Sequence, residues 1–393
     1  MKIIIVIFSF LCLNISVQAQ YQMSNWINSY QGICIFRFDN GNEPPRYDYV
    51  NYQQKINAYH ACYTDKNGLI KYYSNGLFLY NYDFQIIPNG KINIKSKVWQ
   101  TWAKDGMLGW WGGAFLESFS KDSILYYVYS TPDAIDSLGL GMSRLLCAKI
   151  KMQNDSILFK DSLLYEDTQI QPAFIRHANG RDWWIVTCEN GFNNYKIVLI
   201  KNDSISVKNQ TIGKSFDNKL DPGYGWAEFS PDGSKYARNN GYLGIVVMDF
   251  DRCKGIFSNP KFIEFTKPGP FEGFGANISP NNRFLYSNTR HALVQFDLEA
   301  PDIQASKDTV ALFDKFVSFF DMDFAFGSYG IDGKIYYNAY NGSLSIHVID
   351  RPNLKGRLCN ARQHAYTMPT KTGLSGPPLF VNYNLGKLET ACE

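Results

Sequence analysis

The chain has 393 residues and a formal net charge of +3, from 39 basic and 36 acidic side chains. A near-neutral chain without a Lys/Arg-rich stretch lacks the positive patch that binds nucleic acids or anionic membrane surfaces, so we expect neither as a partner. Hydrophobic residues make up 45% of the chain and aromatic residues 16%. This composition argues against disorder and is typical of half-buried β-sheets.

The N-terminus has the pattern of a secretory signal peptide. Lys2 precedes an apolar run from Ile3 to Ile15, and Val17-Gln18-Ala19 places small residues where a signal peptidase cleaves. The run is too short to span a bilayer comfortably, so we expect no membrane span. The sequence predicts a signal peptide at residues 1–19 and a single domain at 20–393. The mature protein is expected to be secreted or to lie in the periplasm or at the cell surface.

Six tight turns recur along the rest of the chain at intervals of 49 to 57 residues. Asn-Gly and Asp-Gly supply the positive φ angles of hairpin turns, and the residues after the turns are largely aromatic or β-branched, as in strands. A hairpin repeat of this length indicates the blades of a β-propeller, each with about four strands. The six turns read Lys66-Asn67-Gly68, Lys121-Asp122-Ser123, Asn179-Gly180-Arg181, Pro231-Asp232-Gly233, Pro280-Asn281-Asn282 and Ile331-Asp332-Gly333.

The length of the chain sets the expected number of blades. About 370 residues at a mean spacing of about 53 leave room for seven units, although six turns are visible. We therefore predict an all-β, seven-bladed propeller, with six blades as the alternative. The first visible blade is expected from Cys34 to Phe84. The ring is expected to close by pairing of the segment Trp26–Phe38 with a strand at Leu379–Tyr383, because closure removes the exposed sheet edge.

Four tryptophans lie close together in sequence between the first two turns: Trp99, Trp102, Trp110 and Trp111. Adjacent residues of a strand point to opposite faces, so Trp110 or Trp111 is expected to be exposed, and the flanking glycines allow a ligand to approach closely. We predict an aromatic platform that binds a glycan or a peptide side chain. Packing between blades is the alternative.

The residue types that bind metals or perform catalysis are scattered. The five histidines lie in separate segments without an HxH or HExxH pattern, and Asp321-Met322-Asp323 does not follow the spacing of a calcium-binding loop. Neither a GxSxG motif nor a phosphate-binding loop is found in the sequence. The sequence therefore predicts no metal, no cofactor and no catalytic residue.

Seven cysteines follow the signal peptide, and none has CxxC spacing. The odd number leaves at least one unpaired in a monomer, which is the expected state of the protein. Most are expected to be small buried residues on strands. If a disulfide forms, Cys392 and Cys359 are the favoured pair, because that bond would hold the C-terminal strand in place.

Several stretches resemble the secreted WD40-like, YVTN-type propeller domain of bacterial surface proteins, which often precedes PKD-like modules and a type IX secretion sorting domain. The resemblance extends over most of the chain. It implies a fold and a location outside the cytoplasm, but no catalytic residue. The stretches are Ala61–Gly76, Ile175–Cys188, Phe229–Lys235, Val247–Asp251, Leu285–Leu298 and Asp332–Asn360.

Two classes of function are compatible with these features. The leading hypothesis is an exported, non-enzymatic binding or scaffold module at or outside the bacterial cell envelope, because rigid blades present variable loops and no catalytic motif is recognised. Its ligand would be an unidentified protein or glycan. The alternative is a hydrolase, lactonase or lyase with its site at the central channel.

Overall fold

The chain folds as a seven-bladed β-propeller with almost no helix, as predicted. Among the described residues, six sheets have four antiparallel strands and the N-terminal sheet has three. The computed structural model describes residues 25–27, 33–38, 45–50, 61–96, 99–100, 103, 112–119, 123–131, 144–166, 171–189, 193–201, 204–215, 225–241, 243–265, 275–318, 320–340, 342–371, 379–389 and 392.

Within each sheet, strands that follow one another in sequence are hydrogen-bonded neighbours, so every blade is an up-and-down meander. Seven such meanders account for the strands of the described residues, and one short 3-10 helix, Gly356–Cys359, precedes the last strand. The strands are β1 (Asn25–Ile27), β2 (Ile33–Arg37) and β3 (Arg46–Val50); β4 (Ala61–Thr64), β5 (Ile70–Ser74), β6 (Phe78–Asn81) and β7 (Ile86–Lys91); β8 (Gly113–Ser118), β9 (Ile124–Thr131), β10 (Arg144–Lys151) and β11 (Ser156–Glu166); β12 (Ala173–Arg176), β13 (Trp183–Cys188), β14 (Asn194–Lys201) and β15 (Ser204–Thr211); β16 (Gly225–Phe229), β17 (Lys235–Asn240), β18 (Gly244–Asp251) and β19 (Ile256–Glu264); β20 (Asn277–Ile278), β21 (Phe284–Asn288), β22 (Ala292–Asp297) and β23 (Asp308–Leu312); β24 (Gly327–Tyr329), β25 (Ile335–Tyr337), β26 (Ser345–Ile349) and β27 (Ala361–Thr367).

The six turn motifs all join the first and second strands of the four-stranded blades. One residue of each motif has a left-handed backbone with φ between 50° and 79°, which explains the recurrence of Gly and Asn there. These turns therefore lie at one end of the ring, which we call the turn face. The left-handed residues are Gly68, Ser123, Gly180, Gly233, Asn282 and Gly333.

The N-terminal sheet is a blade of its own, which corrects two predictions. The expected blade from Cys34 to Phe84 spans two sheets, because β2 pairs with β1 and β3 while β4 begins a new meander. In the described residues, β1 and β2 do not pair with residues 379–383. The ring closes instead by side-chain packing, with Trp26 and Phe38 lying 5.6 and 5.4 Å, between ring centroids, from Tyr336 of the last blade.

The hydrophobic core lies between the blades rather than within a single layer. Buried apolar clusters join each blade to the next around the ring, including one between the last blade and the first. Such interfaces exclude water from both faces of each sheet, so most residues of the first and second strands of the blades are buried. No helix among the described residues is long and apolar enough to cross a membrane.

Candidate functional site at the mouth of the central channel

The first strands of successive blades are neighbours around the ring axis and surround the central channel. The C-terminal segment 379–389 contacts several of them. The ring of Tyr383 lies 5.8 Å from that of Tyr63 on β4, its hydroxyl donates a 2.5 Å hydrogen bond to the Phe115 carbonyl on β8, and the ring of Phe380 lies 4.8 Å from that of Tyr329 on β24. A segment that contacts the first strands of different blades must lie close to the axis, so this segment occupies the channel.

The channel mouth is the end at which the first strands begin, opposite the turn face. The rings of Trp226, at the start of β16, and Phe326, just before β24, stack 4.6 Å apart between centroids, and Leu379 and Tyr340 pack against them. Leu379 also lies against Gly112, where an added Cβ would be only 2.1 Å from its Cδ1. Four apolar or aromatic side chains from three parts of the sequence thus close the mouth.

Glu228 is a fully buried carboxylic acid two residues further along β16 than Trp226, and on the same face of that strand. Burial raises the pKa of this carboxyl well above its usual range, and the hydrogen bond that Asn277 donates to Oε2 offsets this only in part. The other oxygen, Oε1, has no hydrogen-bond partner among the described residues. A buried acid that stays protonated is a group that can give up a proton to a ligand.

A polar network spreads from Glu228 across three blades. Asn277 on β20 donates to Glu228 and to the Gly327 carbonyl at 3.2 Å, and its own oxygen accepts a 2.9 Å hydrogen bond from the Tyr337 hydroxyl. The Asn277 side chain is thereby fixed in orientation, since both of its polar atoms are used. The network holds the carboxyl of Glu228 in one position, as a reacting group requires.

An ion pair borders the mouth on its outer side. Arg290 Nε lies 2.5 Å from Asp323 Oδ2, and the guanidinium lies over the ring of Tyr340 at 5.1 Å from the centroid. The Asp323 side chain is buried, and its other oxygen accepts a hydrogen bond from the Tyr340 backbone at 2.9 Å. The Arg290 side chain remains 35% exposed, so a cation is presented to solvent next to the aromatic rim.

Two further polar atoms at the mouth are buried without hydrogen-bond partners among the described residues. They are Nε1 of Trp226 and Oε1 of Gln171, and the Gln171 amide lies 2.6 Å from the Cβ that a side chain at Gly112 would carry. Buried polar atoms are normally paired, and other atoms without partners occur elsewhere among the described residues, so these two add polar groups to the mouth without by themselves defining a site.

The tryptophan platform is only partly within the described residues. Trp102, Trp110 and Trp111 lie outside them, and Trp99 is half-buried and packs against Phe78 with ring centroids 5.1 Å apart. The glycan or peptide platform therefore stays a prediction. In the part of the chain that is described, no group of three His, Cys, Asp or Glu side chains could hold a metal ion.

The disulfide of this protein joins Cys253 and Cys392, not Cys359 and Cys392 as expected. The prediction was wrong because the C-terminal segment passes through the channel to the turn face, where Cys253 lies in the turn after β18. Cys359 is fully buried at the end of the 3-10 helix and has no bond to another cysteine.

Sequence reasoning missed Glu228, Arg290 and the C-terminal segment. Glu228 stands inside a strand that leads into the Pro231-Asp232-Gly233 turn, and its neighbours read as ordinary strand residues. One signal was present, since an acidic residue between Ala227 and Phe229 interrupts an apolar strand. A charge in such a run is expensive unless it is neutralised or paired.

No protein-family model and no curated protein sequence matches this chain. Among solved structures, it is similar to a proposed 6-phosphogluconolactonase from Bacteroides uniformis, with a TM-score of 0.52 and 11% identity over 90% of this chain and 98% of that one. It is also similar to a second proposed 6-phosphogluconolactonase, from Bacteroides fragilis, with a TM-score of 0.51 and 11% identity over 90% of this chain and 97% of that one. A periplasmic gluconolactonase from Pseudomonas aeruginosa has a TM-score of 0.50 and 12% identity over 90% of this chain and 97% of that one.

At this level of identity the similarity shows the fold alone. The propeller implied by the resemblance to bacterial surface proteins is confirmed, but its family is not. The leading hypothesis, a non-enzymatic binding or scaffold module, is contradicted, because these three structures are named for lactone hydrolysis. Their names agree better with the alternative hypothesis of a hydrolase, lactonase or lyase.

Proposed function

We propose that the protein is a hydrolase of sugar lactones whose site lies at the channel mouth. The observation that carries this proposal is the buried carboxyl of Glu228, whose pKa burial raises, with one oxygen without a partner among the described residues and the other fixed by Asn277. The fold shared with proteins named as 6-phosphogluconolactonase and gluconolactonase supports the choice of substrate class.

Glu228 suits the step in which the lactone ring opens. Water adds to the carbonyl carbon, and the bond between that carbon and the ring oxygen then breaks. The ring oxygen leaves as a hydroxyl group if it receives a proton, which the neutral carboxyl of Glu228 can donate. The proton lost by the attacking water restores the acid, so one water is consumed and one hydroxy acid is formed. The raised pKa favours the protonated form of Glu228, which is the form that donates a proton.

Binding of the sugar is assigned to the rim of the mouth. Aromatic rings pack well against the apolar face of a sugar. Tyr340 is partly exposed at the mouth, and the buried rings of Trp226 and Phe326 become available to a sugar when Leu379 is displaced. Arg290 presents a fork of N–H donors beside Tyr340, which favours a substrate that carries a phosphate or carboxylate. The favoured substrate is therefore an anionic sugar lactone.

The test is the rate of acid release from 6-phosphoglucono-δ-lactone and from glucono-δ-lactone, after subtraction of spontaneous hydrolysis. We expect hydrolysis above background by the wild type and its loss in Glu228→Gln, which keeps the shape of the side chain and its neutral charge. The matched control is Glu264→Gln, the same change on the exposed outer strand β19. Absence of hydrolysis with both lactones, or equal rates for wild type and Glu228→Gln, would refute the proposal.

We also propose that the protein is exported after removal of residues 1–19, as the signal-peptide pattern predicts. The Cys253–Cys392 bond supports this, because disulfides persist mainly in oxidising compartments. Fractionation of cells that express the whole chain, with the N-terminal sequence of the product, tests it. A cytoplasmic product that retains Lys2 would contradict export.

A further inference from the structure

The first part of the C-terminal segment, residues 379–383, packs inside the channel. Val381 and Tyr383 are buried in the cluster that joins the blades around β4, β8 and β13. The ring of Tyr383 also lies 5.6 Å from that of Trp183. Leu379 covers the mouth, where it lies between the rings of Trp226 and Phe326 on one side and Gly112 on the other. Anything that reaches the interior of the channel must displace these side chains.

The second part of the segment, residues 384–389, makes fewer buried contacts than residues 379–383. Residues 384 and 386–389 are exposed and run along the turn face, and Leu385 alone among residues 384–389 packs, partly buried, against the cluster between the blades of β13 and β18. Arg252 donates a 3.0 Å hydrogen bond to the Gly386 carbonyl, and the Leu388 N–H donates a 2.9 Å bond to the Ala178 carbonyl. A neutral hydrogen bond contributes about 1 kcal/mol and one from a charged donor such as Arg252 about 1.5–3 kcal/mol, so these contacts hold the segment less firmly than the burial of Val381 and Tyr383 holds its first residues.

A covalent bond therefore secures the end of the segment. Cys253 and Cys392 are separated by 139 residues in sequence, and both are only partly buried. While the bond is intact, residues 384–389 are anchored at both ends, by Tyr383 in the core and by Cys392 at the turn face. The segment cannot leave through the turn face without moving its anchor, and it rebinds rapidly if it opens, because its local concentration stays high.

We propose that residues 379–389 are an intramolecular ligand of the channel and that the Cys253–Cys392 disulfide is the latch that keeps it there. This regulation rests on the proposed function, since its effect is to control access of the lactone to Glu228. A dithiol reductant would open the latch: it supplies two electrons and two protons, the S–S bond breaks, two cysteine thiols form, and the dithiol becomes a disulfide.

Opening the latch leaves the fold of the blades intact. Cys253 lies in a turn and Cys392 beyond the core, so neither sulfur contributes to the buried clusters. The released end frays from Glu389 towards Tyr383. Because Val381 and Tyr383 pack in the core, Leu379 leaves the mouth only when the whole segment 379–389 is withdrawn from the channel, and an end bonded to Cys253 prevents that withdrawal. Withdrawal uncovers Trp226, Phe326 and the path to Glu228. The latched protein is accordingly the less active form, and the reduced protein the more active one.

Amide hydrogen exchange of residues 379–389 tests the latch without reference to catalysis. It is measured for the oxidised wild type, the wild type reduced with a dithiol, and Cys392→Ser with and without the dithiol. We expect exchange about tenfold faster after reduction, and in Cys392→Ser in both conditions, with the exchange of β16 and β17 unchanged. The matched control is Cys359→Ser, which removes a cysteine that has no disulfide and should still respond to the dithiol.

Lactone hydrolysis measured on the same samples separates the latch from the proposed function. Faster exchange together with faster hydrolysis supports both. Equal exchange in oxidised and reduced protein overturns the latch, whatever the hydrolysis rates. Faster exchange with hydrolysis that is present but unchanged overturns the control of access. Faster exchange with no hydrolysis in any form overturns the proposed function, and the regulation falls with it.

Discussion

Glu228 and Asp232 are four residues apart, yet their surroundings shift the two carboxyl groups in opposite directions. Glu228 lies at the channel mouth, where burial raises its pKa well above the usual range. Asp232 lies on the turn face, where partial burial is outweighed by hydrogen bonds from the Ser234 N–H, Ser230 and Asn282, so its pKa is lowered. The two shifts favour the neutral form of Glu228 and the charged form of Asp232.

The difference teaches how to distinguish a structural acid from a reactive one in this fold. Asp232 uses its oxygens to fix a turn, and a Ser234 hydroxyl and an Asn282 amide from the next blade satisfy them. Glu228 keeps an oxygen without a partner in the described residues and stays buried at a cost in stability. Proteins retain such costs mainly at sites of function.

The largest difference between the two acids is expected in catalysis. Glu228→Gln should lower kcat for lactone hydrolysis by about 100-fold or more, as loss of a general acid does, while Asp232→Asn should leave kcat within about threefold of the wild type. Steady-state rates with both lactones measure this. A large loss of kcat in Asp232→Asn with unchanged stability would reverse the assignment of the two residues.

A second contrast concerns the cations at the two ends of the ring. Arg290→Gln at the mouth should lower kcat/KM for the phosphorylated lactone about tenfold more than for gluconolactone, because it removes a partner of the phosphate. Arg283→Gln, which breaks a 3.0 Å ion pair with Asp297 near the turn face, should affect both substrates equally. Arg290→Lys retains the charge beside Asp323 and should restore part of the selectivity. An equal effect of Arg290→Gln on both lactones would remove Arg290 from the binding site.

The free energy of unfolding should depend more on Asp232 than on Glu228, which is the reverse of their expected effects on catalysis. Asp232→Ala removes the acceptor of several turn hydrogen bonds and should lower the free energy of unfolding by about 1 kcal/mol at pH 7. Glu228→Gln should not lower it. Urea unfolding followed by circular dichroism compares the two variants. Greater destabilisation by Glu228→Gln than by Asp232→Ala would show that the mouth is structural.

The dependence of these stabilities on pH should also have opposite signs. The pKa of Asp232 is lowered on folding, so its contribution is present above about pH 3.8 and is lost as the pH falls. The pKa of Glu228 is raised from 4.5, so its contribution is present below about pH 4.5 and is lost as the pH rises. Relative to the wild type, Glu228→Gln should become more stable with rising pH. Urea midpoints between pH 4 and pH 8 test this, and a flat difference would contradict the raised pKa.

The turn face could be predicted from the sequence and the mouth could not. Asp232 stands in a turn whose backbone requirement is local, so Pro231-Asp232-Gly233 is recognisable without its neighbours. Glu228 is held in place by Asn277, which Tyr337 holds in turn, and these residues are 49 and 109 positions away in sequence and belong to other blades. Contacts of that range leave no pattern in a single strand.

The N-terminal blade and the C-terminal segment escaped prediction for related reasons. The first blade has no Asn-Gly or Asp-Gly turn between β1 and β2, so the sequence does not separate it from the next sheet. The segment Leu379–Tyr383 is rich in aromatic and branched apolar residues, as a strand is, so its composition predicts a place in a sheet. Its side chains pack instead against the first strands of the blades, in a channel that exists only once the ring has closed.

The protonation state of Glu228 tests the account most directly. An infrared difference spectrum between the wild type and Glu228→Gln, recorded at pH 7 on the oxidised protein, isolates this one carboxyl. We predict the C=O stretching band of a protonated carboxylic acid in the wild type, which disappears in the variant. The pair of bands of an ionised carboxylate at pH 7 would contradict the account, because a charged Glu228 could not donate the proton that ring opening requires.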